Sequence, residues 1–434
     1  MVSKEVKFPI VYRILYSYVF VNLLRISFHI ISMFDSKVSR GIEGRRGLFL
    51  KLKENLDKID KSKKRIWFHV SSLGEFEQAK PVIELLKEKG YAVIVSFFSP
   101  SGYDYSLNYK YADVITYLPL DLPRLAKRFV ELVKADVLVV MRYDLWMNHV
   151  TEAKKGGTKV ILADATFPTK ILRQPVFLKR FYRILYSLPD LIITTSADQK
   201  KIFDYFLQDG NTIVGGDTRF DRVLDRSEKA AREFNFPYVN ELRKKKVVVL
   251  GSTWHEDIEV IGRALKKLLE KYSDLVLVIV PHEPTSREIN SIREEFPGCA
   301  VFSEIKESPN LNVRVIIVDS VGILSKIYST ANIAYVGGGF GAGVHNVLEP
   351  AVYGIPIVTG PRIENSNEAV ELLQIGALFY VNSARSAYKV FLRLLSDESF
   401  LNDTGRIAGQ FVRSRLGASK IVVTEIEKYA FSNS

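Results

Sequence analysis

The sequence predicts an α/β protein made of two doubly wound domains. Three observations carry that expectation. Short runs of Val, Ile and Leu alternate with helical patterns from residue 65 onward. The runs are continuous, which marks strands buried on both faces of a parallel sheet. The series pauses near residues 215–225 and restarts at Lys246. A chain of 434 residues suits two domains of roughly 150–200 residues each.

The first series places strands at Ile66–Val70, Tyr91–Phe97, Asp136–Met141, Lys159–Ala163 and Leu191–Thr194, with helices at Glu77–Lys89 and Pro123–Val133. The second places strands at Lys246–Leu250, Leu275–Val280, Val313–Val318, Ile333–Val336 and Ile355–Val358. Helices fall near Ile258–Glu270, Thr285–Glu295, Val321–Ser329, His345–Tyr353 and Glu368–Ile375. The expected division is residues 1–34 as an anchor, 35–64 as a basic connector, 65–220 as the first domain and 221–434 as the second. Ligands of such sheets bind beyond the carboxyl ends of the strands, at the switch point. Two facing domains would put that site in the cleft between them.

Composition excludes several classes. Hydrophobic residues are 47% and charged residues 25%, an ordinary globular balance. One Cys excludes a disulfide scaffold and a cysteine zinc site. The net charge of +12 is uneven: residues 1–65 carry +9 and the rest only +3. A basic amino-terminal end suits an anionic membrane surface, an anionic substrate or nucleic acid, or is simply a soluble basic arm.

Pro9–Phe34 favours the membrane. It is rich in Ile, Leu, Val, Phe and Tyr, but Arg13, Arg25 and His29 interrupt it. The uninterrupted stretch is shorter than the ~20 residues a spanning helix wants. The segment reads as a retained anchor, either a single tilted span with snorkelling arginines or a helix flat in the interface. An amphipathic helix packed on the protein itself is the competing reading. The basic residues that follow, Arg45 and Arg46 among them, would keep the body cytoplasmic and meet the anionic surface.

Three turns invite chemistry. Strand Ile66–Val70 runs into Ser71-Ser72-Leu73-Gly74-Glu75 and then a helix. Glu75 at a helix amino terminus is a candidate general base, although first-turn glutamates commonly only complement the helix dipole. Gly337, Gly338, Gly339, Gly341 and Gly343 lie between a strand and the helix expected from His345. Such glycines let the backbone approach a phosphate. Gly337, Gly339 and Ala342 also match a dinucleotide spacing, a weak lone match. Gly251-Ser252-Thr253 follows Lys246–Leu250 and could hold a phosphate or base, or serve as an N-cap. His345 and Glu349 share a helical spacing, but two ligands do not make a metal site, and no metal is expected.

Taken together, these stretches resemble the 3-deoxy-D-manno-octulosonic acid (Kdo) transferases. The matching pieces are Val70–Glu75 with Ala79-Lys80-Pro81, Ser99–Tyr103, Tyr117–Asp121, Leu145-Trp146, Gly216–Asp221 and Gly251–Thr253. Asp319–Gly322, Gly337-Gly338, His345–Pro350 and Gly360-Pro361 with Asn365 and Glu368 complete them. The resemblance implies a GT-B glycosyltransferase fold of two Rossmann-like domains with the site between. It implies transfer of Kdo from CMP-Kdo to a lipid A precursor at the cytoplasmic face of the inner membrane, with no cofactor and no nucleic-acid partner. Glu75 would be the base, with Ser72 beside it on the acceptor side. Ser252, Thr253, Gly337, Gly338, His345, Asn346, Glu349 and Asn365 would bind the CMP donor. Three departures stand out: Arg142 where many members have an acid, His282 in place of an Arg, and Gly322-Ile323-Leu324 in place of Gly-Glu-Leu. The alternatives are a different GT-B enzyme such as an epimerase, a nicotinamide dehydrogenase, and a non-catalytic membrane-bound binding protein.

Overall fold

The computed structural model describes residues 8–208, 210–233, 239–305 and 313–431. The chain divides into two compact units, Met1–Arg222 with Gly417–Ser434, and Val223–Leu416.

The first unit is built on seven parallel strands: β1 (Arg65–Val70), β2 (Ala92–Phe97), β3 (Val114–Tyr117), β4 (Val137–Met141), β5 (Lys159–Ala165), β6 (Leu191–Thr194) and β7 (Thr212–Val214), in spatial order β3-β2-β1-β4-β5-β6-β7. Successive side chains feed opposite faces. Val137 and Val139 join Phe68 and Val95 on one side, while Leu138 and Val140 join Trp67 and Ile94 on the other. This is why the strands read as unbroken apolar runs. The order reverses between β1 and β4, which fixes the switch point there.

The second unit repeats the plan with β8 (Lys246–Thr253), β9 (Leu275–Pro281), β10 (Ala300–Val301), β11 (Val315–Ile317), β12 (Ile333–Val336), β13 (Ile357–Thr359) and β14 (Leu378–Tyr380), in the order β10-β11-β9-β8-β12-β13-β14. All pairings are parallel. The switch point lies between β8 and β12.

The carboxyl-terminal helix corrects the boundary drawn from sequence. Residues 221–434 were expected to form one domain, but Ala418–Phe431 returns to the first unit. Val422, Val423, Ile426 and Ala430 pack with Ile66, Val95 and Val139. The Asp221 carboxylate accepts from Gly417 N at 2.7 Å and Ser419 N at 2.6 Å, which holds the start of that helix. An apolar helical stripe does not say which sheet will bury it.

The amino-terminal helix runs Ile10–Ile31, about 33 Å at 1.5 Å per residue, with a π-helical stretch at Leu15–Phe20. It is long and apolar enough to cross a membrane, yet it lies along the first unit. Tyr12 Oη donates to Phe177 O at 3.3 Å, Tyr16 Oη to Asp121 at 2.8 Å, and Ser17 Oγ to Asn148 at 2.9 Å. Near its end, Phe28 meets the Phe98 ring at 5.9 Å. Its other face turns Ile14, Phe20, Leu23, Ile26 and Ile30 outward. Contact with the protein and an open apolar face thus coexist on one helix.

Candidate active site

In the first unit, Ser72 and Glu75 start helix Leu73–Glu88 with a reciprocal capping box. Ser72 Oγ accepts from Glu75 N at 3.3 Å. Glu75 Oε2 accepts from Ser71 N at 2.5 Å and from Ser72 N at 3.2 Å. Among the described residues no donor reaches Oε1. The local sequence dictates this turn, since Ser-x-x-Glu before an apolar helix satisfies two orphan donors at once. The turn follows β1 and therefore stands at the switch point.

Strand β4 supplies the other side of that point. Ser71 Oγ donates to Asp144, and Arg142 sits just beyond Met141 with a φ of 66°. The Arg142 Nε is buried without a hydrogen-bond partner among the described residues. Glu75 is 5% exposed. Burial pushes its carboxyl above the usual range, and the Asp144 charge adds to that, while the Ser71 N–H and Arg142 pull the other way. Asp144 is raised as well, chiefly by burial, against its Ser71 hydrogen bond. Beneath them His69 is buried, and desolvation with His149 nearby depresses its imidazole to about 3. It is a neutral packing group bonded to Ser96 at 3.0 Å.

Arg45 and Arg46 separate. Arg46 is exposed, as expected of a surface base. Arg45 is a staple within the fold: its guanidinium donates to Leu118 O, Gly41 O and Phe98 O at 2.7–2.8 Å and lies against the Phe98 and Tyr117 rings. Burial lowers its pKa to about 10. The spacing of two adjacent arginines gives no sign of this difference.

In the second unit, the candidates gather at the carboxyl ends of β8 and β12. Ser252 adopts φ 52° and Gly338 φ 90°. Gly337 N donates to Gly251 O at 2.9 Å, and a Cβ on Gly337 would stand 2.2 Å from Ser252 O. Only glycine allows these two strand ends to approach so closely. Thr253 is 1% exposed, and its Oγ1 has no hydrogen-bond partner among the described residues. A buried hydroxyl left unpaired costs free energy unless a ligand or water completes it.

His345 leans on this turn. Its Nε2 accepts from Trp254 Nε1 at 2.8 Å, so the neutral ring carries its proton on Nδ1. Its ring stacks on His282 at 4.3 Å, and His282 in turn meets Trp254 at 4.6 Å. Burial, then His282, lowers the His345 pKa. Asn365 Nδ2 donates to Val344 O at 2.9 Å and closes the far side of the glycine loop. Asn346 Oδ1 accepts from Leu348 N at 3.1 Å. Glu349 pairs with Arg226 at 3.2 Å.

The helix expected to begin at His345 is a correction. The observed helix is only Leu348–Ala351. Pro350 has no N–H to give and is tolerated only in a first turn, so the helix begins no earlier. Four residues do not build an appreciable dipole, and the glycine loop gains nothing from it.

Sequence reading missed two residues here. Asp257 is fully buried, and its carboxylate accepts from Trp254 N at 2.9 Å, Gly338 N at 2.9 Å and Tyr335 Oη at 2.7 Å. It clamps the Ser252–Trp254 turn to the glycine loop. Trp254 holds His345 and His282. The only linear signal was their place directly after Gly251-Ser252-Thr253. Among the described residues no three His, Cys, Asp or Glu side chains gather as a metal site.

Comparison with known proteins agrees with the motif reading. A family model described as 3-deoxy-D-manno-octulosonic-acid transferase matches residues 44–222. The Aquifex aeolicus 3-deoxy-D-manno-octulosonic acid transferase is 29% identical over 344 residues, 78% of this chain and 88% of the relative. The enzyme of the same name from Haemophilus influenzae is 25% identical over 381 residues, 85% and 88% of the two chains. In fold, the chain is similar to a UDP-GlcNAc 2-epimerase from Neisseria meningitidis (TM-score 0.61, 17% identity, 84% of this chain and 100% of that one). It is likewise similar to a glycosyltransferase from Rickettsia africae (TM-score 0.54, 14% identity, 86% and 100%). At those identities the likeness speaks for the GT-B fold alone, while the sequence relatives speak for the chemistry. The chain is an enzyme related to the 3-deoxy-D-manno-octulosonic acid transferases, built as a GT-B glycosyltransferase.

Proposed function

We propose that the protein transfers Kdo from CMP-Kdo to a lipid A precursor at the cytoplasmic face of the inner membrane, with Glu75 as general base. The observation that carries this reading is Glu75 itself. One carboxylate oxygen is tied into its turn and the other has no hydrogen-bond partner among the described residues, in a buried setting that raises its proton affinity. A base with a raised pKa is better matched to a hydroxyl proton near neutral pH.

In the proposed step, Glu75 Oε1 takes the proton of the acceptor hydroxyl. The hydroxyl oxygen bonds to the anomeric carbon of Kdo as the bond from that carbon to the CMP phosphate breaks. CMP departs with the electron pair, and a single displacement inverts the anomeric centre. Ser252, Thr253, Gly337, Gly338, His345, Asn346, Glu349 and Asn365 are proposed for the donor. The unpaired Thr253 hydroxyl and the close backbone at Gly337 support that assignment. Ser72 and Arg46 belong to the acceptor side, Ser72 through the Glu75 turn and Arg46 as an exposed positive charge. Arg45 supports that side only by holding the loop at Phe98. The outward apolar face of helix Ile10–Ile31, docked along the first unit, favours a flat anchor over a span.

The test is incubation with CMP-Kdo and a tetra-acylated lipid A precursor, followed by mass spectrometry of the lipid. Added Kdo with release of CMP is expected. Hydrolysis of CMP-Kdo without a glycosylated lipid would reject the acceptor.

A further inference from the structure

A cavity of about 440 Å³ lies in the first unit, and none of its lining residues is a donor candidate. That is the scale of small-ligand pockets, roughly 300–1,000 Å³. Its lining is mostly apolar and includes Phe28, Val38, Ile42, Leu48, Phe98 and Leu125. The walls come from the amino-terminal helix, the helix Ser36–Glu43 and the loop after β2. No function has been given to it so far.

Three features of its surroundings identify an occupant. First, the cavity adjoins the outward apolar face of the membrane-facing helix: Phe28 and His29 line it, while Ile26 and Ile30 beside them are exposed. The apolar face that would meet a bilayer and the apolar lining of the cavity thus lie on one helix. Second, the wall nearest the sheet is Phe98-Ser99-Pro100, and Ser99 N donates to Ser71 O at 3.2 Å. Ser71 N in turn donates to Glu75, so the cavity wall and the Glu75 turn share a hydrogen bond. Third, Lys37 stands at the lining and is exposed, with Arg40 exposed one turn along the same helix. Arg40 pairs with Asp104 at 3.4 Å, so it is Lys37 that complements an anionic head group at the surface.

We propose that this cavity holds one acyl chain of the acceptor lipid and so positions its head group for Glu75, a step that rests on the lipid acceptor named above. The cavity then acts in specificity: it distinguishes an acylated acceptor from a bare sugar phosphate.

The experiment has two arms. In the first, the full chain is mixed with vesicles carrying a tetra-acylated disaccharide bisphosphate whose acyl chain bears a diazirine, then irradiated without donor and digested. Labelling of peptides that contain Val38, Ile42 and Phe98–Pro100 is expected. Labelling confined to Ile26, Ile30 and Met33 would mean plain bilayer contact and would overturn the proposal. In the second arm, Val38→Trp fills the cavity. It should raise KM for the tetra-acylated acceptor about tenfold, while the variant and wild type use the fully deacylated disaccharide bisphosphate, stripped of both ester- and amide-linked chains, equally well. Equal KM on the acylated acceptor overturns the proposal. Leu125→Trp replaces Val38→Trp if the latter melts early, and the labelling arm decides if both do. Absence of Kdo transfer by wild type to either acceptor would instead reject the proposed function, and the labelling arm, which needs no donor, is read separately from it.

Discussion

Glu75→Gln separates the capping role of Glu75 from the catalytic role proposed for it. Glu75 Oε2 accepts from Ser71 N and Ser72 N, and a glutamine carbonyl can accept both bonds in the same place. The fold therefore loses only the favourable charge at a helix start, typically ~0.3–1 kcal/mol. Relief of a buried charge outweighs that loss, because the raised pKa means that the fold disfavours the ionised form. The chemistry loses its base, a factor of roughly 10²–10⁴, or about 2.7–5.4 kcal/mol at 1.36 kcal/mol per tenfold. Glu75→Ala behaves differently, because it strips two N–H groups of their acceptor at about 1–3 kcal/mol each. The assay is transfer from CMP-Kdo to the lipid acceptor, read beside a thermal melt of both variants. The expected pattern is Gln stable and nearly inactive, Ala unstable and inactive. Gln turning over within a few-fold of wild type would refute the reasoning and leave Glu75 as a cap. The pH dependence gives a second reading. The folded carboxyl titrates above its usual value, so kcat/KM should rise with pH along a limb higher than an ordinary glutamate's. Stability carries the opposite sign. The fold favours the protonated form, so this contribution is full below the unfolded pKa and is lost as pH rises through the folded one. Glu75→Gln should show neither dependence.

Arg142→Gln removes a positive charge that lowers the Glu75 pKa, so the acid limb of kcat/KM should move to higher pH; an unmoved limb would separate Arg142 from the base. Asp257→Ala leaves Trp254 N and Gly338 N without acceptors and should cost about 2–6 kcal/mol by urea titration, against under ~0.5 kcal/mol if the clamp is absent. Arg45→Ala should lower stability by roughly 2 kcal/mol or more, since three carbonyls lose a charged donor. Arg46→Ala should leave the melt alone and weaken binding to anionic vesicles by about 1 kcal/mol, an effect that high salt erases. Ile26→Asp with Ile30→Asp should abolish vesicle flotation at unchanged stability, because both side chains face outward; persistent flotation would move the anchor elsewhere.

What the sequence left out follows a physical rule. Each of β3, β7, β10 and β14 is the edge strand of its sheet, and each was missed. An edge strand is short and covered on one side only, so it lacks the unbroken apolar run that betrays β1, β4, β8 and β9. The interior strands were legible because burial on both faces is written directly into composition. The same logic explains the last helix. Val422, Val423 and Ile426 announce a buried stripe, but burial against β1 and β4 is a long-range fact with no local trace.

The candidate site divides along the same line. Ser72 and Glu75 were legible because a capping box is four residues long and its chemistry is local. The glycines at 337 and 338 were legible because close approach of two strand ends admits no side chain. Asp144 and Arg142 tune Glu75 from a different strand, and Asp257 reaches Gly338 from another helix. These partners become visible only when the switch points bring β1 beside β4 and β8 beside β12. A base placed by a local motif but tuned by charges from a neighbouring strand has a consequence. Its position survives substitution of those neighbours, and its pKa does not. Arg142 is therefore the natural place for a substitution to change this chain's pH response while leaving the Ser71–Glu75 turn, and the base proposed there, in position.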